Sequence, residues 1–161
     1  MKNLTSILFI LISFISSTQT RLDSLVLNEL NDYRISLNLK EVTFSEQCYK
    51  ISENHSKKLV STKDSLYHSD NFIAAEVVQM VNCLLISKDD VDPELTLAKH
   101  IIKKWKLSKK HNEIMISPKY KFAGVSSKMV GDKKIVNIFD PTIQKFKNAY
   151  SYTLFSTMNF K

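Results

Sequence analysis

The 161-residue chain has only two glycines, Gly124 and Gly131. Loops that cradle phosphates through bare backbone need several glycines close together. A Walker loop, a dinucleotide fingerprint and a nucleophile elbow are therefore excluded. HExxH and CxxC spacings are also missing, which removes sequence support for the common zinc peptidases and dithiol oxidoreductases. Cysteine is scarce, with Cys48 and Cys83 alone. Past the N-terminal stretch, no apolar run is long enough to cross about 30 Å of hydrocarbon.

A lysine and then an almost uncharged apolar run, Leu4 to Ser17, open the chain. A short positive start, a compact apolar centre and small polar residues after it describe a secretory signal peptide over 1–20, cut near Thr18 or Thr20. The mature protein is then expected to be secreted, extracellular and soluble. Its formal charge of +7 changes little on losing Lys2. A basic surface favours contact with anionic lipid or glycan, and export makes nucleic acid an unsuitable partner. In an oxidising compartment, two cysteines favour a Cys48–Cys83 disulfide of roughly 3–4 kcal/mol. The alternative is two separate buried thiols.

Leu22, Val26, Leu30, Tyr33 and Leu37 recur at steps of three and four, one apolar face of a helix that Asp23 or Ser24 would cap. A polar break over 38–43 follows. Ser45 opens a second helix whose buried side carries Cys48, Ile51, His55 and Leu59. Residues 61–71 form a polar loop with Tyr67 and His68. Residues 72–86 are strongly apolar and fit either a helix turn or a buried strand. Glu76 lies inside that run, where an unpaired carboxylate is costly. Asp92-Pro93 opens a third helix with Ala98, Ile101, Ile102 and Trp105 facing the core. Lys99, Lys103, Lys106 and Lys110 share another face, either simply solvated or a docking strip for an anionic surface. Helix propensity fades over 108–117. Residues 122–130 and 134–139 read as strands, with Gly131-Asp132 as a hairpin turn between them. Residues 144–161 are a further strand or a C-terminal extension. Helices early and strands late predict an α+β layered domain.

The chemistry-bearing residues are His55, His68, Glu76 and His111, imidazoles and a carboxylate able to meet in one pocket. They sit in five stretches that together carry a resemblance. These are Leu27 to Arg34 (LNELNDYR), His55-Ser56, Tyr67-His68-Ser69, Trp105 to His111 with its W-x-x-S-x-x-H spacing, and Pro118 to Val125 (PKYKFAGV). In this order they resemble the CAP superfamily, or SCP domain, over about 22–140. The group includes cysteine-rich secretory and pathogenesis-related proteins. The likeness is to compact, cysteine-poor bacterial members.

The resemblance implies an α-β-α sandwich with a central antiparallel sheet, a domain over 21–143, and a cleft lined by His68, Glu76, Ser108 and His111. It implies His68, Glu76 and His111 as candidate metal ligands, a set suited to zinc with one open position. Ser108 stands where the family carries a second acid, and Ala75-Glu76-Val77 where it carries Gly-Glu-Asn. The alternative is a metal-free cleft in which the histidines hydrogen-bond to Glu76. His55 is read as a packed helix histidine, His100 as a solvated one and Trp105 as core. Family roles imply a non-enzymatic binder of a lipid, a sterol or an extracellular or surface partner. The other reading is a metal-dependent secreted hydrolase, with Glu76 as base or a Ser108–His111 nucleophile pair. A third is a scaffold or adhesion domain that works through the lysine face.

Overall fold

The computed structural model describes residues 19–62, 66–131, 134–140 and 144–161. The apolar run expected to be a signal peptide lies outside the described residues. The elements are α1 (Arg21–Ser36), β1 (Thr43–Phe44), α2 (Glu46–Thr62), β2 (Ala75–Ser87), α3 (Pro93–Leu107), α4 (Lys109–Met115), β3 (Phe122–Met129), β4 (Lys134–Asp140) and β5 (Lys145–Phe160).

The sheet runs β1-β3-β5-β2, and β4 also pairs with β5. Only the two-residue β1 is parallel to its neighbour; the other pairings are antiparallel. α1 and α3 pack together on one face, while α2 covers the other through β3 and β5. This is the three-layer α-β-α arrangement. From Leu154 to Phe160 every residue of β5 is buried. A half-covered strand would alternate, so an unbroken buried run marks a central strand covered on both faces.

Thr20 is the N-cap of α1 and shares a capping box with Asp23, satisfying two orphan helix donors at once. Asp23 is thus the third helical residue, not the cap. Its other oxygen accepts from the Ser127 amide at 2.7 Å, tying the helix start to β3. Further along α1, Asn31 donates to Val42 O at 3.0 Å and accepts from Val42 N at 2.9 Å. The buried Arg34 guanidinium donates to the carbonyls of Lys40, Met115, Ser117 and Tyr120. Those four bonds hold the ends of two loops against one helix. Burial pushes the Arg34 pKa down from its ordinary value.

Residues 75–87 form a strand, which settles the helix-or-strand ambiguity of that run. Three other expectations are corrected. First, β3 and β4 do not form a hairpin. Both run antiparallel to β5, β3 beside Leu154–Phe160 and β4 beside Lys145–Ser151. They follow one another along a single edge, and Gly131 (φ 71°) falls between them. The strand reversal comes instead between β4 and β5.

Second, residues 109–115 keep a helical turn as α4, because Met115 is fully buried against the core despite weak local propensity. Third, Cys48 is a buried free thiol, so the bridge favoured by an even count does not form. It sits where α2 meets the β3 backbone. A methyl group on Gly124 would lie 2.7 Å from the Cys48 carbonyl carbon and closer still to Tyr49 N. That contact leaves no room for a side chain and sets how low α2 rides on the sheet. Seated this deeply, α2 buries Tyr49, Ser52 and Ser56 with Cys48, His55 and Leu59, while Ile51 is only half-buried.

Candidate functional site

The deep seating of α2 brings two small polar side chains and a histidine onto the sheet. Ser52 Oγ donates to Gly124 O at 2.7 Å and lies 3.0 Å from the Asn159 amide. Ser56 Oγ meets Ser126 Oγ at 3.0 Å. One turn along the same helix face as Ser52 comes His55, whose Nδ1 reaches Glu76 Oε1 at 2.8 Å. Glu76 stands directly across from Asn159 in the β2–β5 register, and Asn159 Nδ2 donates to the same oxygen at 3.2 Å. The other oxygen, Oε2, accepts from Ser69 N at 2.7 Å and has His68 Nδ1 at 3.4 Å. Beyond it, the His68 and His111 rings meet edge to face with centroids 6.3 Å apart.

The site is thus a row: His55, Glu76, His68, His111. Glu76 is at its centre and 3% exposed. Burial pushes its carboxyl pKa upward, but hydrogen bonds from His55, Ser69 and Asn159 outweigh that, and the group titrates below the ordinary carboxylate range. It stays ionised at neutral pH because donors surround its charged form. Because the ionised Glu76 can only accept, His55 Nδ1 is the donor of their hydrogen bond. His111 is held below its ordinary value by burial and by His68, so its neutral form is favoured.

Of the cleft residues expected from the sequence, His68, Glu76 and His111 come together. Ser108 ends α3 and precedes α4, and its side chain makes no capping bond. The His111 ring faces His68, and no Ser108–His111 hydrogen bond activates the hydroxyl. His55 is packed as expected but is also the strongest side-chain partner of Glu76. The signal for it was present: a buried imidazole and a buried carboxylate each need a partner. Asn159 gave no such signal, because register across β5 alone places it.

This geometry bears on a metal. Both Glu76 oxygens accept from protein donors, and His68 Nδ1 lies 3.4 Å from Oε2. Among the described residues, no group of three or more His, Cys, Asp or Glu side chains is placed to hold a metal ion. The residues present do not make the His68–Glu76–His111 ligand set, and what remains is an imidazole pair.

The family comparison agrees with this arrangement of helices, sheet and cleft. The model for CAP, the cysteine-rich secretory protein family, matches residues 27–139. The chain belongs to the CAP family. Its central strand β5 lies beyond the matched stretch.

Among solved structures, the chain is similar to an extracellular protein containing an SCP domain from Bacillus anthracis. The identity is 12%, the TM-score 0.52, and the match covers 87% of this chain and 40% of that one. This CAP domain therefore spans less than half of the Bacillus chain, and the likeness is one of fold. It is also similar to an outer surface protein from Borrelia burgdorferi. There the identity is 13%, the TM-score 0.49, and the coverage 89% of this chain and 96% of that one. No curated protein sequence matches the chain. Members of the family are often extracellular, and no helix among the described residues is long and apolar enough to cross a membrane.

Proposed function

We propose that this CAP protein is exported and acts as a non-enzymatic binder, holding a small lipid or sterol in an apolar groove. The observation that carries the reading is a groove of about 680 Å³ between the start of α1, the start of α3, and strands β3 and β5. Leu22, Leu97, Met129 and Tyr152 line its floor, and Val91 and Pro93 its mouth. Its size falls in the roughly 300–1,000 Å³ range of small-molecule pockets. Apolar burial there would contribute about 25 cal/mol per Å². At the rim, Arg21 bridges Asp92 and Glu94, and its guanidinium holds the Asp92 carboxyl down at about 2. That polar edge suits a headgroup or a sterol hydroxyl. Export rests on the leader over 1–20, and the lysine face would bring the protein to anionic surfaces.

The hydrolase reading has less support. Glu76 already accepts hydrogen bonds at both oxygens, from His55, Asn159 and Ser69. The His/Glu row supports a structural role in joining α2, β2, β5 and the 66–74 loop.

The test is titration with a fluorescent sterol and a fluorescent fatty acid, alongside ester and peptide turnover assays with added zinc. The expected result is saturable uptake, weakened about tenfold by Met129→Trp, which fills the groove, with an unchanged circular dichroism spectrum. Absence of uptake would overturn the reading. So would turnover that disappears in the His68→Ala/His111→Ala double variant.

A further inference from the structure

A second, smaller cavity of about 160 Å³ is lined by His55, at one end of the Glu76 row. One wall is a stripe of α2: Ile51, Asn54, His55 and Lys58, at the three- and four-residue steps that share a helix face. The opposite wall is the 67–71 loop with Tyr67, Ser69, Asp70 and Asn71. His55 is 4% exposed. Its Nδ1 is committed to Glu76, and its Nε2 is buried with no hydrogen-bond partner among the described residues. Buried polar atoms are seldom left unpaired, and this one belongs to a residue that lines a cavity.

The chemistry of the walls narrows what fits. Nε2 asks for a hydrogen-bond partner, and a hydroxyl can serve it as donor or as acceptor. Asn54 and Asn71 bring carboxamides that both donate and accept. Lys58 and Asp70 carry opposite charges, so the cavity favours neither a cation nor an anion. The Tyr67 ring and Ile51 supply apolar contact, with Lys58 Nζ 5.5 Å from the ring centroid. The volume is below the roughly 300–1,000 Å³ of pockets for larger ligands, and suits a single ring.

We infer that this cavity binds a neutral polyhydroxylated ring, a monosaccharide unit, with a sugar hydroxyl hydrogen-bonded to His55 Nε2 and the ring bracketed by Asn54, Asn71 and Tyr67. The site shares no residue with the apolar groove, so either can hold while the other fails. It would give an exported basic protein a short-range contact with glycan.

The experiment is a titration of isotope-labelled protein with D-glucose, D-galactose and N-acetyl-D-glucosamine, followed by amide NMR shifts. The expected outcome is saturable shifts for at least one sugar, confined to residues 51–58 and 67–71, at millimolar affinity. Asn54→Ala removes one rim hydrogen bond and should weaken binding about fivefold. Ile51→Phe fills the cavity without touching the His55–Glu76 bond and should abolish the shifts while leaving the rest of the spectrum intact. Three results would overturn the proposal: no saturable shift with any of the sugars, shifts that persist in Ile51→Phe, or acetate or choline binding there in place of all three. A sugar-soaked crystal showing only a water on His55 Nε2 would do the same.

Discussion

Replacing Glu76 with glutamine keeps the shape and removes the charge at the centre of the His/Glu row. The wild-type carboxylate accepts from His55 Nδ1 at 2.8 Å, Asn159 Nδ2 at 3.2 Å and Ser69 N at 2.7 Å. A glutamine has one acceptor oxygen, so one end must turn an NH2 group toward existing donors. If that end faces Ser69, a backbone N–H loses its partner and cannot rearrange. If it faces His55, the imidazole must change tautomer and Asn159 loses a contact. Hydrogen bonds to charged groups contribute about 1.5–3 kcal/mol each, so the net cost should be about 2–4 kcal/mol. Against a typical total of about 5–15 kcal/mol, this is a large share.

Trp105, the sole tryptophan and fully buried, reports unfolding directly. With a urea slope of about 1–3 kcal/mol per molar, the midpoint should fall by about 1–2 M. The pH dependence has a definite sign. The folded pKa of Glu76 lies below its reference of 4.5, so its stabilisation is complete above that value and is lost as pH falls through the folded one. Asp23 runs the other way, since burial raises its pKa, but it is common to both proteins and cancels. The gap between wild type and Glu76→Gln should therefore be widest near neutrality and close in acid. A stability that changes by less than about 0.5 kcal/mol at neutral pH, within the usual range for an exposed site, would falsify the central role given to this carboxylate.

Gly124→Ala should abolish soluble folded protein or cost at least about 3 kcal/mol by overpacking, because the new methyl collides with the backbone of Cys48 and Tyr49; a near-normal thermal melt would show that α2 does not seat on β3 as described. Arg34→Lys keeps the charge but cannot span four carbonyls, so it should destabilise by about 2–3 kcal/mol in the same urea assay. An unchanged midpoint there would mean the guanidinium fork is dispensable.

The elements that read cleanly in sequence owe this to periodicity. The core faces of α1 and α3 follow from apolar residues at helical steps, as at Val26 and Leu30 or Ile101 and Trp105. The motifs from LNELNDYR to PKYKFAGV carried the family resemblance, and with it His68, Glu76 and His111 as cleft residues. Less legible was β2, because a short apolar run serves a strand or a helix equally well. Gly131-Asp132 looked like a hairpin turn on local chemistry, yet β3 and β4 both pair with β5. Which strand a segment joins depends on partners far along the chain.

The order of residues was enough to establish the class of the protein: a basic layered domain after an apolar N-terminal run, with few glycines and a set of scattered imidazoles. Packing in three dimensions was needed to make β5 the central strand, to leave Cys48 a free thiol, and to bring His55 and Asn159 onto Glu76. The reason is physical. Helix faces and leaders are written in neighbouring residues, whereas a buried carboxylate takes its partners from whichever elements the packing delivers. Here that delivery depends on bare backbone at Gly124, which lets one helix sink far enough for its histidine to reach the strand beneath.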